Sequence, residues 1–369
     1  MARFDAVFEG GGAKGVAFVG ALEVLGQHGH TLRRYIGTSA GAITATLLAA
    51  GYTTEEMMAA VMERQPDGTP RFSSFMDSPE AADFSPEVRA NSATMTALKE
   101  VHLPFVPAPF ENRIEGDLLD RLLHNSIYAH LFSFTECGGY YAGAAFLDWL
   151  HEKLAVNGIQ PGDTLADFAR KTGSDLSVVA SDTTEMEMLV LNARTAPNVP
   201  TANAVRMSMS IPFVWQQVVW QDAWGTYMGR KKAGNDIVDG GMLSNFPIRL
   251  IADTDDEIRA VMGVADPNGA LNLGFLIDET IAVPGAPDTA QTPLPVTRLR
   301  TVQRISRMID TMMGAADNED IRRHAAEICR LPAKSYGTLE FGMQGERLDV
   351  YLTAARTAMT QHLAARALL

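Results

Sequence analysis

Two short apolar runs, Phe4 to Phe8 and Tyr35-Ile36, each end in a glycine-rich turn and pass into an apolar, Ala-rich stretch. The turns read Gly10-Gly11-Gly12-Ala13-Lys14-Gly15 and Gly37-Thr38-Ser39-Ala40-Gly41. A strand, tight turn and helix repeated in this way leave few folds open, because strands joined through helices lie parallel and the helices must cover the faces of the sheet. The expected class is therefore α/β, with a parallel-rich central sheet and helices on both faces. Gly51 is expected to end the second helix, and Thr53 with Glu56 to form a capping box for a third.

Residues 64 to 135 break the rhythm with seven prolines, Pro66, Pro70, Pro79, Pro86, Pro104, Pro107 and Pro109, and read as an insertion or lid over the core. A helix is expected from Ala142 to Ala155, where Phe146, Trp149, Leu150 and Leu154 have helical spacing. Strands are expected at Leu176–Ala180 and Met186–Leu191, forming a hairpin that turns at Asp182 to Glu185, and at Phe213–Trp220. A short strand, Asp236–Val238, delivers Asp239, and Ile258–Val264 reads as another buried strand. Residues 278 to 297 are Pro-, Ala- and Thr-rich and read as a loop, followed by a strand-like Thr338–Phe341 and a last helix from Glu346 to Leu369. The expected organisation is a core over 1–265 and a loop plus helical C-terminal extension over 266–369, packed on the core.

With 369 residues and 46% hydrophobic content, the chain can bury a large core. Its net charge of -13 excludes a nucleic-acid partner, since phosphate neutralisation needs clustered Lys and Arg. The two cysteines, Cys137 and Cys329, make no disulfide framework and lack metal-ligand spacing, so no metal or cofactor is expected. The N-terminus has no long apolar run before a cleavage site, and no stretch approaches the roughly 20 apolar residues of a membrane span. A cytoplasmic protein, at most peripheral at a membrane, is expected.

The glycine motifs carry the chemistry. A Gly-x-Ser-x-Gly turn between strand and helix is the context of a nucleophile elbow, and Asp239-Gly240-Gly241 follows another apolar segment. Alone, either motif is weak, because most such triplets are ordinary turns. In this order and context the three read as an oxyanion loop, a serine nucleophile and its base. The competing reading is a dinucleotide site, since Gly10, Gly12 and Gly15 satisfy GxGxxG after a strand. That fingerprint also wants an acidic residue at the end of the second strand, where this chain has Gly37-Thr38-Ser39.

These residues resemble the patatin-like phospholipases, a family of acyl hydrolases with a serine-aspartate dyad. Gly10 to Gly15 is similar to the family's oxyanion block, Gly37 to Gly41 to its elbow, and Asp239 to Gly241 to its dyad aspartate. Ser208-Met209-Ser210-Ile211-Pro212 is similar to the Ser and Pro block that precedes the aspartate. The resemblance covers about residues 4 to 265; Lys14 stands where the family often has Arg. It implies hydrolysis of phospholipid or lysophospholipid esters, with Ser39 attacking and Asp239 taking its proton without a histidine. Backbone N–H groups of the loop Gly10, Gly11, Gly12 and Ala13 would stabilise the oxyanion. Gly37 and Gly41, with Gly15, Gly240 and Gly241, would support the turns.

Other features stay open at this stage. Lys14 reads equally as a solvent-exposed side chain opposing a helix dipole and as a cation near the oxyanion loop or a lipid phosphate. Leu103–Phe110 and Ile127–Phe134 are candidates for a lid or membrane-touching loop, against plain packing on the core. Trp215, Trp220 and Trp224 precede Arg230-Lys231-Lys232, a headgroup contact or a solvated hairpin tip. Met308, Met312 and Met313 read as helix packing, and the eight histidines have no motif context. A lipid-binding or scaffold protein with a silent site, or an effector awaiting an unidentified activator, are the alternatives from other classes. Oligomeric state leaves no mark in the sequence.

Overall fold

The fold is taken from a computed structural model that describes residues 1–94, 96, 119, 121–264, 269–286, 304, 317–338, 340 and 342–369. β1 (Arg3–Phe8) leads through a 3-10 turn (Gly12–Val16) into α1 (Ala17–Gln27), then β2 (Thr31–Thr38) and α2 (Ala40–Ala49), the alternation expected from the glycine turns. α3 (Thr54–Val61) starts at a reciprocal Thr53–Glu56 capping box. α4 (Pro86–Asn91) and α5 (Ser126–Glu136) precede β3 (Gly139–Tyr141), α6 (Ala144–Val156) and α7 (Leu165–Thr172). β4 (Asp175–Asp182) and β5 (Glu187–Asn192) form the expected hairpin. After α8 (Thr201–Ser208) come short strands β6 (Phe213–Trp215), β7 (Val218–Val219), β8 (Thr226–Tyr227) and β9 (Arg230–Lys231), then β10 (Asp236–Asp239). The described remainder holds α9 (Arg249–Ala252), α10 (Asp256–Met262), β11 (Leu271–Ala282), α11 (Asn318–Arg323), β12 (Ile328–Lys334) and α12 (Glu346–Ala365).

β12, β11, β1, β2 and β4 lie side by side, all parallel. β5 pairs antiparallel with the outer edge of β4. The inner edge of β4 is shared by two strands meeting end to end: β2 runs along it in parallel until Thr38 is level with Val179, and β10 comes down it antiparallel until Asp239 is level with Ala180. Two strands far apart in sequence therefore finish at adjacent rungs of one partner.

Alternation along β1 sends Phe4, Ala6 and Phe8 into one core and Val7 into the other, as a two-residue period requires. On the first face Phe8 stacks on Phe275 (centroids 4.6 Å apart) and meets Phe18 of α1 edge-on at 5.5 Å. On the second, Val7, Ile36 and Val179 pack against Phe246, Ile248 and Leu250.

Several elements differ from the sequence expectation. Ile258–Val264 is not a strand; most of it lies in α10, because the Asp255 side chain caps the Ile258 N–H at 2.9 Å and the buried Ile258 and Met262 fall four residues apart. Residues 278–282, expected as loop, end the long strand β11. Thr338 lies in a turn, not a strand, and Leu339 and Phe341 are outside the described residues. The Phe213–Trp220 run is broken into β6 and β7, with Phe213 at φ 67°. The segment Leu103–Phe110 and Met308, Met312 and Met313 also lie outside the described residues. Trp215, Trp220 and Lys232 are buried, and the Lys232 ammonium bridges to Asp182 (2.9 Å), Glu185 (2.7 Å) and Glu187, whereas Arg230 and Lys231 are exposed on the β8–β9 hairpin, as the solvated-tip reading expects. Of the second lid candidate, Ile127, Tyr128 and Leu131 are exposed on α5. Among the described residues no helix is long and apolar enough to cross a membrane.

Candidate active site

Ser39 occupies the turn between β2 and α2 with φ 54° and ψ -122°. A non-glycine residue held there stores roughly 1 to 3 kcal/mol of backbone strain, so its surroundings must enforce it. Two close approaches do so: a Cβ on Gly37 would lie 2.1 Å from the Gly41 carbonyl oxygen, and one on Gly41 would lie 2.1 Å from that of Phe8. Ser39 is thereby fixed at the N-terminus of α2, where the helix dipole favours negative charge.

The 208–210 segment ties Ser39 to Asp239. Ser208 Oγ accepts the Ser39 N–H at 2.9 Å and donates to Val179 O at 2.6 Å, while the Asp239 N–H donates to Ser210 O at 2.9 Å. Beneath it, the buried Arg206 donates to Ala142 O (2.7 Å), Gln216 O (3.0 Å) and Ser210 Oγ. Burial lowers the Arg206 pKa to about 10. The sequence expectation picked out this serine block, but nothing in it pointed to Arg206.

Asp239 is buried, with Oδ1 accepting the Gly241 N–H at 2.8 Å. Its pKa is raised to about 7 by burial, against the lowering influence of Ser39 and of the Gly241 N–H. Oδ2, on the carboxyl that Ser39 adjoins, has no hydrogen-bond partner within bonding geometry among the described residues.

The glycine-rich loop is held from several sides. Gly10 donates its N–H to Asn245 O and accepts from Asn245 Nδ2, both at 3.0 Å, and the Ala13 N–H donates to Thr338 O at 2.8 Å. Of the expected donors, the N–H groups of Gly10 and Ala13 are hydrogen-bonded in this structure, whereas those of Gly11 and Gly12 have no hydrogen-bond partner among the described residues. Lys14 is buried and paired with Glu279, so it is neither solvent-exposed nor an open cation. Its charge also acts on Glu9, which accepts from Ile277 N–H and from Asn245 Nδ2 (3.2 Å) and whose pKa burial raises to about 8. Asn245 and Thr338 escaped the sequence reading because no local motif marks them, and Glu9, beside the loop in sequence, because its partners Ile277 and Asn245 are long-range.

Ser39 opens onto an apolar cavity of about 1040 Å³, including its solvent-open mouth. Gly12, Ala13 and Gly15 form one wall, Ile43 and Leu47 of α2 run along it, and Phe75 and Trp149 contribute an aromatic wall. With a rise of about 1.5 Å per residue, Ser39 and Leu47, which both line the cavity, lie about 12 Å apart along α2. No histidine is among its described lining residues.

Comparison with known proteins places the fold and the glycine motifs together. A 33% identical relative over 266 residues, spanning 70% of this chain and 70% of its own, is the uncharacterized protein YqhO of Bacillus subtilis (strain 168). The probable lipid hydrolase 463L of Invertebrate iridescent virus 6 is 21% identical over 244 residues, 66% of this chain and 61% of that protein. In fold, the crystal structure of VipD from Legionella pneumophila matches with a TM-score of 0.50 at 19% identity, covering 99% of this chain and 67% of VipD. The family model of the patatin-like phospholipases matches residues 6–252, which include the glycine-rich loop Gly10–Gly15, the Ser39 turn and Asp239. The chain belongs to the patatin-like phospholipase family, a family of lipid hydrolases.

Proposed function

We propose that the chain hydrolyses carboxylic esters of phospholipids or lysophospholipids through a Ser39–Asp239 dyad. Asp239 accepts the Ser39 proton as Oγ attacks the ester carbonyl, and the oxyanion is held by the N–H groups of Gly11 and Gly12. The proton passes from Asp239 to the leaving alkoxide as the ester C–O bond breaks, leaving an acyl group on Ser39. Water then attacks that acyl group, giving its proton to Asp239, and the fatty acid leaves as Ser39 Oγ is reprotonated.

The observation that carries this reading is the meeting of β2 and β10 at adjacent rungs of β4, at the head of an apolar cavity. It supports the pairing of a strained serine with a carboxyl that burial has made basic enough to act near neutral pH. The cavity supports an acyl chain as the bound part of the substrate, because its walls offer apolar and aromatic surface and few polar groups. Mass-spectrometric fatty-acid release from mixed phospholipid and lysophospholipid vesicles tests the proposal. Release by wild type and none by Ser39→Ala is expected; equal release by both would overturn it.

A further inference from the structure

The family match ends at residue 252, yet the oxyanion loop is braced by residues beyond 330. The Thr338 carbonyl receives the Ala13 N–H and lies so close to Gly12, at φ 56°, that a Cβ there would be 2.2 Å from its oxygen. One residue further along the loop, Tyr351 OH of α12 donates to Lys14 O at 3.0 Å. The loop is thus pinned at two consecutive residues, Ala13 and Lys14, by two C-terminal groups.

The turn that delivers Thr338 is itself locked. Arg347 donates through Nε and Nη2 to the two oxygens of Glu340 (Nη2 to Oε2, 3.0 Å) and through Nη2 to Ser335 O at 2.7 Å. Glu340 Oε2 also accepts the Gly337 N–H at 3.1 Å. The Arg347 guanidinium lies 4.0 Å over the Tyr336 ring, and that ring stacks on Tyr351 at 4.2 Å. A bidentate pair on an aromatic face fixes orientation as well as distance.

We infer that the Arg347–Glu340 clasp is a positioning device for the oxyanion loop, holding Thr338 against Ala13 so that Gly11 and Gly12 keep their N–H groups aimed into the site. The inference rests on the proposed role of those two glycines. Arg347 and Glu340 are positioning residues that act on the loop through Thr338; Glu340 also lines the cavity, so loop exchange rather than kcat decides its variants.

The test compares wild type with Arg347→Ala, Arg347→Lys and Glu340→Gln, each first shown to melt cooperatively. Hydrogen exchange of the peptide spanning residues 9–16 and steady-state hydrolysis of p-nitrophenyl butyrate are measured on each. Expected are faster exchange in Arg347→Ala and a fall in kcat of about 10- to 100-fold with KM within about twofold, since a small misplacement of oxyanion donors costs that much. Arg347→Lys recovers part of both effects. If Arg347→Ala does not fold, Glu340→Gln and the charge reversal Arg347→Glu, rescued by Glu340→Arg, carry the same comparison. Unchanged exchange overturns the clasp, and so does kcat that stays level or rises. A wild type that hydrolyses no ester counts against the proposed function, and the exchange data then decide the clasp by themselves.

Discussion

Ser39 and Asp239 differ from an ordinary serine and aspartate through what surrounds them. Ser208 Oγ holds the strained Ser39 peptide. Ser208→Ala is expected to lower kcat about 10- to 100-fold with little change in KM, because the nucleophile drifts from its attack geometry; steady-state kinetics on a soluble ester check this. Asp239, with a pKa raised to about 7, must be ionised to act as base, so kcat/KM is expected to rise with pH and level off above about 7. An inflection near 4 would contradict the raised pKa. The same shift sets a stability trend. A carboxyl whose folded pKa exceeds its unfolded value of 3.8 favours the native state fully only below that value, and the advantage is lost as pH rises through about 7. Asp239→Asn is therefore expected to abolish turnover yet raise stability at pH 8, by on the order of 3 kcal/mol, in denaturant titration. At this scale the sequence was most legible where backbone constraint is local: Gly37 and Gly41 mark Ser39 because any side chain would strike the adjoining backbone. Asn245 and Thr338 act from distant segments, and nothing near them in sequence announces it; Glu9 and Arg206 adjoin the marked motifs, but their partners are long-range.

Among the elements, β4 assembles the site. β2 and β10 approach its inner edge from opposite ends, so the reach of each strand decides whether Ser39 and Asp239 meet. Gly240 guards that junction: a Cβ there would lie 2.4 Å from Val179 O. Gly240→Ala is expected to destabilise the fold by about 3 kcal/mol or more, read as a fall in melting temperature, since backbone cannot move aside as a flexible side chain can. The strand-turn-helix units and the β4–β5 hairpin followed from glycine punctuation and apolar spacing. α10 was misread because Ile258, Val261 and Met262 in a short apolar run fit a buried strand as well as one helical face, and the deciding signal was the Asp255 cap. β11 extends past the expected loop boundary because Asp278 lies level with Pro332 and Ala282 pairs with Lys334 on β12, a long-range pairing that composition does not encode.

For the whole molecule, a mostly parallel sheet presents the Ser39 and Asp239 turns at the C-terminal ends of their strands and lets helices wall an apolar cavity beside Ser39. Ala60 of α3 lines that cavity, and Ala60→Leu is expected to shift preference toward shorter acyl chains, with kcat/KM for long-chain esters falling about 10-fold relative to butyrate. A chain-length series of p-nitrophenyl esters reads this out. The most direct measurement is rapid-quench peptide mass spectrometry during turnover of a lysophospholipid. An acyl adduct on the peptide carrying Ser39, absent from Ser39→Ala, is the expected result. Turnover with the adduct on another residue, or undiminished turnover in Ser39→Ala, would contradict the dyad.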